Sequence, residues 1–579
     1  MSWFLGGIGN FHKDYFSTIL KIVDKPLLNH SEDKLFIAAG GNPDTCNFKI
    51  YPSNNEKKNW LIIGVGISKN NKKKFLSELD WENIVANNEE EKFDIDGHYI
   101  LISWNKDKLV FITDNLGLRD FYYCNDKSGN ILFSTRIDWL SKLTSLKIDF
   151  KEFGSRWLLF SQLTTNCVFN NINRITAGKS VTINKNTNEI KIKEKNWLPL
   201  FNEQHYNLQD FHEQLNELIS FPLIENKLSL SLSGGLDSRL LFSLLLKNKN
   251  YNWDTHSFGE PSHPDSIIAK RITSDLGIPH KQIYSPFPPL KQFMNEFLEF
   301  NGQTIGNVSV SSFIQLRHYK ELKNSNQIII DGAFGEIWRR GFFTKLSIIG
   351  SNYILEKDFN KILQYLRVNR ANIFNENIIQ TMINGCKEQL EILFDNLPSP
   401  HKIGIDNFIE IFAIKTKLPN YFCYEQSRLD NIIKCYMPFI QTSLLEKIFI
   451  LPLTIRKNGN LFKLLLKNNN KRLTKYPLVK GYTIYPYWLN NTQMRIYNYI
   501  KNRLNRQIDE SKVMLIRKLF PYIYDLVNSR TFKECDYINK KKIMFLIEQF
   551  QQKNYKNEIL NELDWWLTFE IMKQSLSLD

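Results

Sequence analysis

Apolar and polar residues alternate from Leu228 to Leu232, the string LSLSL, with the period of a half-buried strand. The pattern breaks at Gly234-Gly235 and resumes as Leu236, Leu240, Leu241 and Leu244 at helical spacing. This stretch predicts strand, tight glycine loop, helix. Upstream, short apolar runs are separated by turn residues: Leu35–Ala39, Trp60–Ile67, Tyr99–Trp104, Leu109–Thr113, Ile131–Ser134 and Ser180–Ile183. Three runs from Asp94 onward, joined by Asn-Lys-Asp and Lys-Ser-Gly turns, predict a β-meander. Beyond residue 200 helices and strands alternate. A helix with Leu208, Phe211, Leu215 and Leu218 on one side precedes the glycine loop. A short strand, Trp253–Gly259, follows it. An amphipathic helix then opens at Asp265 and is closed by Gly277, with Pro279 and His280 beyond. Ile328–Ile330 is a further strand. Residues 346 to 579 are mostly helix-forming and lysine-rich, without repeats.

The length of 579 residues predicts at least two domains, and the change of pattern divides the chain into residues 1–200 and 201–579. Basic residues outnumber acidic ones by 75 to 60, which suits a nucleotide, a polyphosphate, RNA or an acidic peptide. Lysine and asparagine are abundant throughout, so this excess narrows little, and nucleic-acid binding is not expected. The seven cysteines (Cys46, Cys124, Cys167, Cys386, Cys423, Cys435 and Cys535) are odd in number and scattered, with no CxxC or Cys/His metal spacing. Reduced thiols in a cytoplasmic protein fit them best. The start, MSWFLGGIGNFHKD, lacks the basic and apolar regions of a signal peptide. No uncharged apolar run approaches the ~20 residues of a membrane span.

The glycine loop carries the first candidate chemistry. A strand–loop–helix turn points backbone N–H groups and the positive helix end at one spot. Glycines let the backbone approach an anion where a Cβ would clash. Ser233 and Ser238 add hydroxyls. Asp237 adds a carboxylate that would repel a bare phosphate, so a metal ion is expected between them. The string lacks the Gly-Lys-Ser/Thr of the Walker loop.

Ser233-Gly234-Gly235-Leu236-Asp237-Ser238 resembles the pyrophosphate loop of the N-type ATP pyrophosphatases, which include asparagine, GMP, argininosuccinate and tRNA lysidine synthetases. Upstream, Asp96-Gly97, Asp114, Gly117, Arg119, Tyr122-Tyr123 and Phe133-Ser134 follow the spacing of the glutaminase domain of asparagine synthetases, with Thr113 in place of an arginine. Downstream, Asp331-Gly332-Ala-Phe-Gly335-Glu336 resembles that family's acid turn with one residue inserted. Pro438-Phe439 and Leu451-Pro452 match a later family segment, although Lys434, Tyr436 and Gln441 stand where it has Glu, Arg and Asp. Lys480-Gly481-Tyr482 resembles its phosphate-contacting lysine segment, with Lys463 as a second choice. The order of these motifs covers roughly the first 490 residues and resembles the asparagine synthetase family.

The resemblance implies an α+β sandwich of the Ntn-hydrolase type. After it come a doubly wound parallel α/β sheet of the adenine nucleotide α-hydrolase type and a helical C-terminal extension. It implies ATP and Mg²⁺ as cofactors: Ser233, Gly234, Gly235, Leu236, Asp237, Ser238 and Gly332 around the nucleotide, Ser257 and Phe258 beside the adenine through backbone groups, and Asp237 and Glu336 at the metal. Asp331 would be the general base for the incoming amine, and Lys480 would stabilise charge on phosphate and tetrahedral oxygen. Asp265 and His280 also match the family. Asp265 reads equally as a helix cap, and His280 as a packing residue beside the site. Arg339 and Arg340 could pair with a substrate carboxylate or be a solvated pair.

Residue 2 is Ser2, where the family's glutaminase has a nucleophilic cysteine, and no Asn-Gly-Glu segment for glutamine occurs between residues 50 and 97. Ser2 is therefore expected to be inert and Asp96 structural. The expected activity is formation of an amide bond after adenylation of a small-molecule or peptide carboxylate, with an amine or ammonia as acceptor. That resembles lasso-peptide cyclases and β-lactam synthetases, in a protein without a membrane partner that could form a homodimer. Two alternatives stand beside it: a glutamine-hydrolysing synthase using Ser2, and a non-catalytic nucleotide-binding scaffold.

Overall fold

The computed structural model describes the chain apart from residues 1, 12–18, 24, 53–56, 70–72, 88–94, 202–205, 225, 249–251, 324, 326, 340–342, 369, 491–492, 495, 498–507, 554 and 579. Arg340 therefore lies outside the described residues. The amino-terminal part contains β1 (Trp3–Ile8), β2 (Leu28–Glu32), β3 (Leu35–Gly40), β4 (Cys46–Lys49), β5 (Asn59–Ser68) and β6 (Ile95–Trp104). It continues with β7 (Lys108–Thr113), β8 (Phe121–Asn125), β9 (Ile131–Ser134), β10 (Asn173–Ile175), β11 (Lys179–Asn184) and β12 (Ile190–Glu194). These form two six-stranded sheets, ordered β10-β8-β9-β1-β3-β2 and β12-β11-β7-β6-β5-β4. Their inner faces pack together through Phe4, Ile37, Ile63, Ile102, Phe111, Phe121 and Phe133. The rings of Phe111 and Phe121 stack at 4.6 Å. Burial of each such side chain contributes roughly 1.5–3 kcal/mol, which makes this layer the sandwich's main cohesion.

The alternation finds the strands but mistakes their pairing. The expected meander is split: β6 and β7 pair in one sheet, while β8 and β9 pair in the other. The turn Asp114–Asp120 carries the chain across. The Asp114 carboxylate accepts backbone N–H groups from Leu116, Leu118 and Arg119, each at 3.0 Å, and Gly117 adopts φ +70°. Alternation reports which face is buried, and a compact carboxylate-nucleated turn of this kind has no signature in it.

The sandwich's outer faces are covered differently. Trp60, Tyr99 and Leu101 meet Trp81 and Val85 of the helix Glu78–Ala86. On the other sheet, Trp3, Leu5 and Phe36 share one core with Phe293 and Phe297 of the helix Leu290–Thr304 and with Trp566 and Phe569 of the helix Asn557–Ser575. Helices from beyond residue 200 thus share in covering this second sheet.

The second part is built on β13 (Leu228–Ser231), β14 (Trp253–Phe258), β15 (His280–Ile283), β16 (Ile328–Ile330) and β17 (Cys435–Tyr436). All four pairings are parallel, in the order β15-β14-β13-β16-β17. Leu228 pairs with Trp253 on one side and with Ile328 on the other. The order reverses between β13 and β16, and in open parallel sheets such a switch point leaves a crevice at the strands' carboxyl ends. Helices 208–220, 236–245 and 264–276 alternate with these strands, and a small hairpin, β18 (Leu478–Lys480) and β19 (Thr483–Tyr485), docks nearby. Among the described residues no helix is long and apolar enough to cross a membrane.

Candidate functional site

The crevice is flanked by the loop after β13 and the turn after β16. In the loop, Gly235 precedes the first turn of the helix Leu236–Leu245, and Ser233 and Ser238 face each other with hydroxyls 3.0 Å apart. The Ser233 N–H donates to the Ser238 hydroxyl at 3.1 Å, and the Gly235 N–H to the Ser233 hydroxyl at 3.1 Å. The Gly234 N–H donates to Asp265 Oδ1 at 2.8 Å. Asp265 therefore ties the loop rather than capping its own helix, whose N-cap is His263.

Two turns from distant parts of the chain touch here. A Cβ on Gly335 would stand 2.5 Å from Asp237 Cγ, and one on Gly332 would stand 3.0 Å from the Ser238 nitrogen. Arg339 Nη2 donates to Asp237 Oδ2 at 2.6 Å and lies 4.0 Å from Glu336 Oε1. Burial pushes the Asp237 carboxyl up to about 6, and Glu336 adds to the rise, while Arg339 and Lys480 oppose it. Among the described residues, the buried Asp237 Oδ1 has no hydrogen-bond partner. An orphaned carboxylate oxygen fits a hard cation. No group of three or more His, Cys, Asp or Glu side chains suited to a metal occurs among the described residues. Asp237 and Glu336 are the carboxylates that would meet a cation in this crevice.

Lys480 ends β18 at the exposed tip of the hairpin, close enough to Asp237 to act on its charge. The hairpin is fastened to the loop by the Val479 N–H donating to Gly234 O at 3.0 Å. It is fastened again by Arg239, fully buried, which donates to Gly234 O at 3.0 Å, Pro477 O at 2.7 Å and Tyr476 O at 2.8 Å. Arg239 directly follows Ser238, but nothing in its sequence position marks this role. Lys463 instead donates to Leu489 O at 2.8 Å.

Asp331 follows β16. Its Oδ1 accepts the Ala333 N–H at 2.8 Å. Burial, then the charge of Glu425, pushes its carboxyl up to about 7. Glu425, in the helix Cys423–Leu429, is itself raised by burial, with Arg428 Nη2 at 4.0 Å opposing. Nothing in the sequence around Glu425 marks it as a site residue. Its meeting with Asp331 is tertiary, made where β17 joins β16. Ser257 and Phe258 lie at the end of β14, which pairs with β13. The Ser257 hydroxyl donates to Leu232 O at 2.9 Å and meets His280 Nε2 at 3.1 Å, while His280 Nδ1 meets Thr255 Oγ1 at 2.8 Å. The Ser257 side chain is thereby committed to the sheet.

Ser2 is far from solvent. Its hydroxyl lies 2.6 Å from Thr45 Oγ1 and 3.2 Å from Asp430 O, and accepts the Asn42 N–H at 3.1 Å. Asp96 accepts from Thr442 Oγ1 at 2.8 Å and the Ser443 N–H at 3.0 Å, capping a helix from beyond the parallel sheet, with Lys73 Nζ at 3.5 Å. The Gly97 N–H donates to Gln441 Oε1 at 2.8 Å. Asp430 sits between His98 Nε2 at 3.0 Å and Arg119 Nη2 at 2.5 Å. Residues of the second part thus reach both Ser2, through the Asp430 carbonyl, and Asp96-Gly97. Lys434 likewise lays its ammonium 3.8 Å from the Phe75 ring centroid.

Residues 68–198 match the family model of a glutamine amidotransferase domain. No curated protein matches the chain. Among solved structures, the chain is similar to one described as the allosteric regulatory enzyme of purine biosynthesis. The identity is 9%, over 50% of this chain and 61% of that one, with a TM-score of 0.21. It is also similar to glutamine phosphoribosylpyrophosphate (PRPP) amidotransferase from B. subtilis complexed with ADP and GMP, at 10% identity over 51% of this chain and 70% of that one, with the same TM-score. The alignment spans about three fifths of the first structure's length, and a superposition at that score has no bearing on the site.

Proposed function

We propose that this chain is an ATP-dependent, amide-forming ligase, in which residues 201–579 adenylate a carboxylate and residues 1–200 are an amidotransferase-type scaffold that hydrolyses no glutamine. The observation that carries this reading is the contact across the switch point between Asp237 and Gly335, with an orphaned carboxylate oxygen in the crevice. Mg²⁺ held near Asp237 and Glu336 would supply charge neutralisation for the triphosphate. The serine–glycine loop and the amino end of its helix bind the phosphates, and Lys480 closes the mouth from the hairpin. The substrate carboxylate attacks the α-phosphorus and pyrophosphate leaves. Asp331, poised near neutral by burial and by Glu425, takes the proton of the amine that then displaces AMP. Ser2 has no open face for a glutamine amide, which supports free ammonia or a substrate amine as acceptor.

The test is Mg²⁺-dependent release of AMP and pyrophosphate from ATP, screened over amino acids, sugar acids and small peptides. Pyrophosphate is expected with a matching acid. Release of ADP and phosphate would sink the ligase reading, and tight nucleotide binding without turnover across the screen would favour the scaffold.

A further inference from the structure

The helix Ile405–Lys417 ends on a lysine that is only 3% exposed. Its ammonium stands 3.2 Å from the ring centroid of Phe160 and 4.8 Å from that of Phe343. Phe160 belongs to the sandwich part of the chain, and Phe343 follows the acid turn. Directly after Lys417 the chain makes a π-helical turn, Leu418–Phe422, with Pro419 in its first positions. Proline lacks the N–H that a regular helix would use, and the extra residue of a π turn re-aims the side chains beyond it. Tyr421 consequently meets Phe160, with rings 5.3 Å apart, and Phe422 meets Phe334 of the acid turn at 4.9 Å. A row of rings, Phe160, Tyr421, Phe422 and Phe334, thus leads from Lys417 to the turn that carries Asp331 and Glu336.

A buried cation is retained only where its surroundings compensate for lost water, and here ring faces are part of that compensation. Burial lowers the Lys417 ammonium to about 7, and Glu336 is the acid that opposes this. The ring that covers the ammonium lies at the surface: Phe160 is 41% exposed, unlike a core ring. Arg339 and Lys480 act on Asp237 beside the phosphate loop, and Lys417 acts with Glu336, which links the two groups because it also lies 4.0 Å from Arg339. Asp331 and Glu425 put negative charge at the third position, which suits an amine.

We propose that Lys417 is a specificity residue that receives the carboxylate of the acyl donor, and that this donor carries a flat or apolar group that lies along Phe160 and Tyr421. The proposal rests on the ligase reading, to which it adds the substrate class. A single ammonium against ring faces suits one carboxylate, whereas polyphosphates are met by several backbone N–H groups or forked guanidinium donors.

The probes are phenylacetate for the acid and benzylamine for the same ring with the opposite charge. Binding of each is measured by saturation-transfer NMR to the full chain and to Lys417→Met, Lys417→Arg and Phe160→Ala. Binding of Mg²⁺ with an α,β-methylene ATP analogue is measured beside them by calorimetry. Phenylacetate is expected to bind the wild type, to weaken about tenfold or more in Lys417→Met through loss of a charge-assisted contact, and to recover in part in Lys417→Arg. Phe160→Ala weakens it several-fold, and benzylamine does not follow this order. Nucleotide affinity stays at the wild-type value in all three variants. Phenylacetate binding Lys417→Met as tightly as the wild type, or not binding the wild type, overturns the proposal. Absence of nucleotide binding alone overturns the ligase reading and leaves a Lys417-dependent carboxylate site standing.

Discussion

Gly335→Ala is the smallest change that forces the two turns of the crevice apart. The added methyl would stand 2.5 Å from Asp237 Cγ, 2.8 Å from its Oδ1 and 2.9 Å from its Cβ. Carbon–carbon contact is comfortable at about 3.5 Å, so about 1 Å of clearance has to be found. The backbone at Gly335 is not left-handed, so alanine brings no φ strain and the effect is steric. Asp237 cannot simply swing away. Its Oδ2 is held by Arg339 at 2.6 Å, and its backbone lies in the first turn of a buried helix. The relief therefore separates the loop from the acid turn. Overpacking of this kind costs about 1–3 kcal/mol, seen as a fall of a few degrees in melting temperature. A displacement of about 1 Å in a catalytic constellation costs about 10²-fold in rate. Pyrophosphate release should fall by that order, and calorimetry should show weaker binding of the Mg²⁺–nucleotide analogue. Gly129→Ala is the control. Its φ of +79° makes alanine costly, by roughly 1–2 kcal/mol, but open space surrounds it, so stability drops and turnover does not. If Gly335→Ala lost stability yet kept wild-type turnover and nucleotide affinity, the crevice would not be where the chemistry happens.

Three further outcomes follow from the same geometry. With Asp331 raised to about 7 by burial and by Glu425, amide formation should gain rate as pH rises through about 7, and Glu425→Gln should move that midpoint to lower pH. An unmoved midpoint in the pH–rate profile would remove Asp331 from the role of base. Ser2→Ala should lower stability by about 1 kcal/mol in urea denaturation through lost hydrogen bonds, with no glutamate released from glutamine by either protein. Glutamate release by the wild type that the variant lacks would reverse that reading. Burial alone would raise Asp430, but Arg119 and His98 outweigh it and hold the folded carboxyl below its unfolded value. Its contribution is therefore fully present above the unfolded value and is lost as pH falls through the folded one. Asp430→Asn should cost about 3–5 kcal/mol at neutral pH and flatten the acid limb of a stability–pH curve, which chemical denaturation across pH 2 to 8 would show.

What the sequence discloses here depends on how far apart in the chain the partners lie. The loop Ser233–Ser238 is legible because strand, glycine break and helix are consecutive, so one period change marks both elements and the turn between them. The same holds for the Ile328–Ile330 strand running into Asp331-Gly332. The switch point that brings the two turns together is not legible, since it depends on β16 pairing with β13 and not with a nearer strand. Asp265 shows the limit within a single helix. Its position predicts a cap, yet the Gly234 N–H competes for the carboxylate and His263 takes over the capping. Arg239, Glu425 and Lys417 leave less trace still. Each is an ordinary polar residue at an ordinary helical position, and its surroundings come from a segment far along the chain or from a π turn that no heptad or alternation pattern encodes. The sandwich repeats the lesson in its strands, because short apolar runs mark β6 to β9, which are buried on both faces, while the turn held by the Asp114 carboxylate carries the chain from one sheet to the other. On the proposed reading, the motif marks where this chain binds, and the residues that select what it binds lie at crossings between segments. Asp331 with Glu425, and Lys417 with Phe160, are two such crossings, one acidic and one basic, and a ligase joining an amine to an acid needs both.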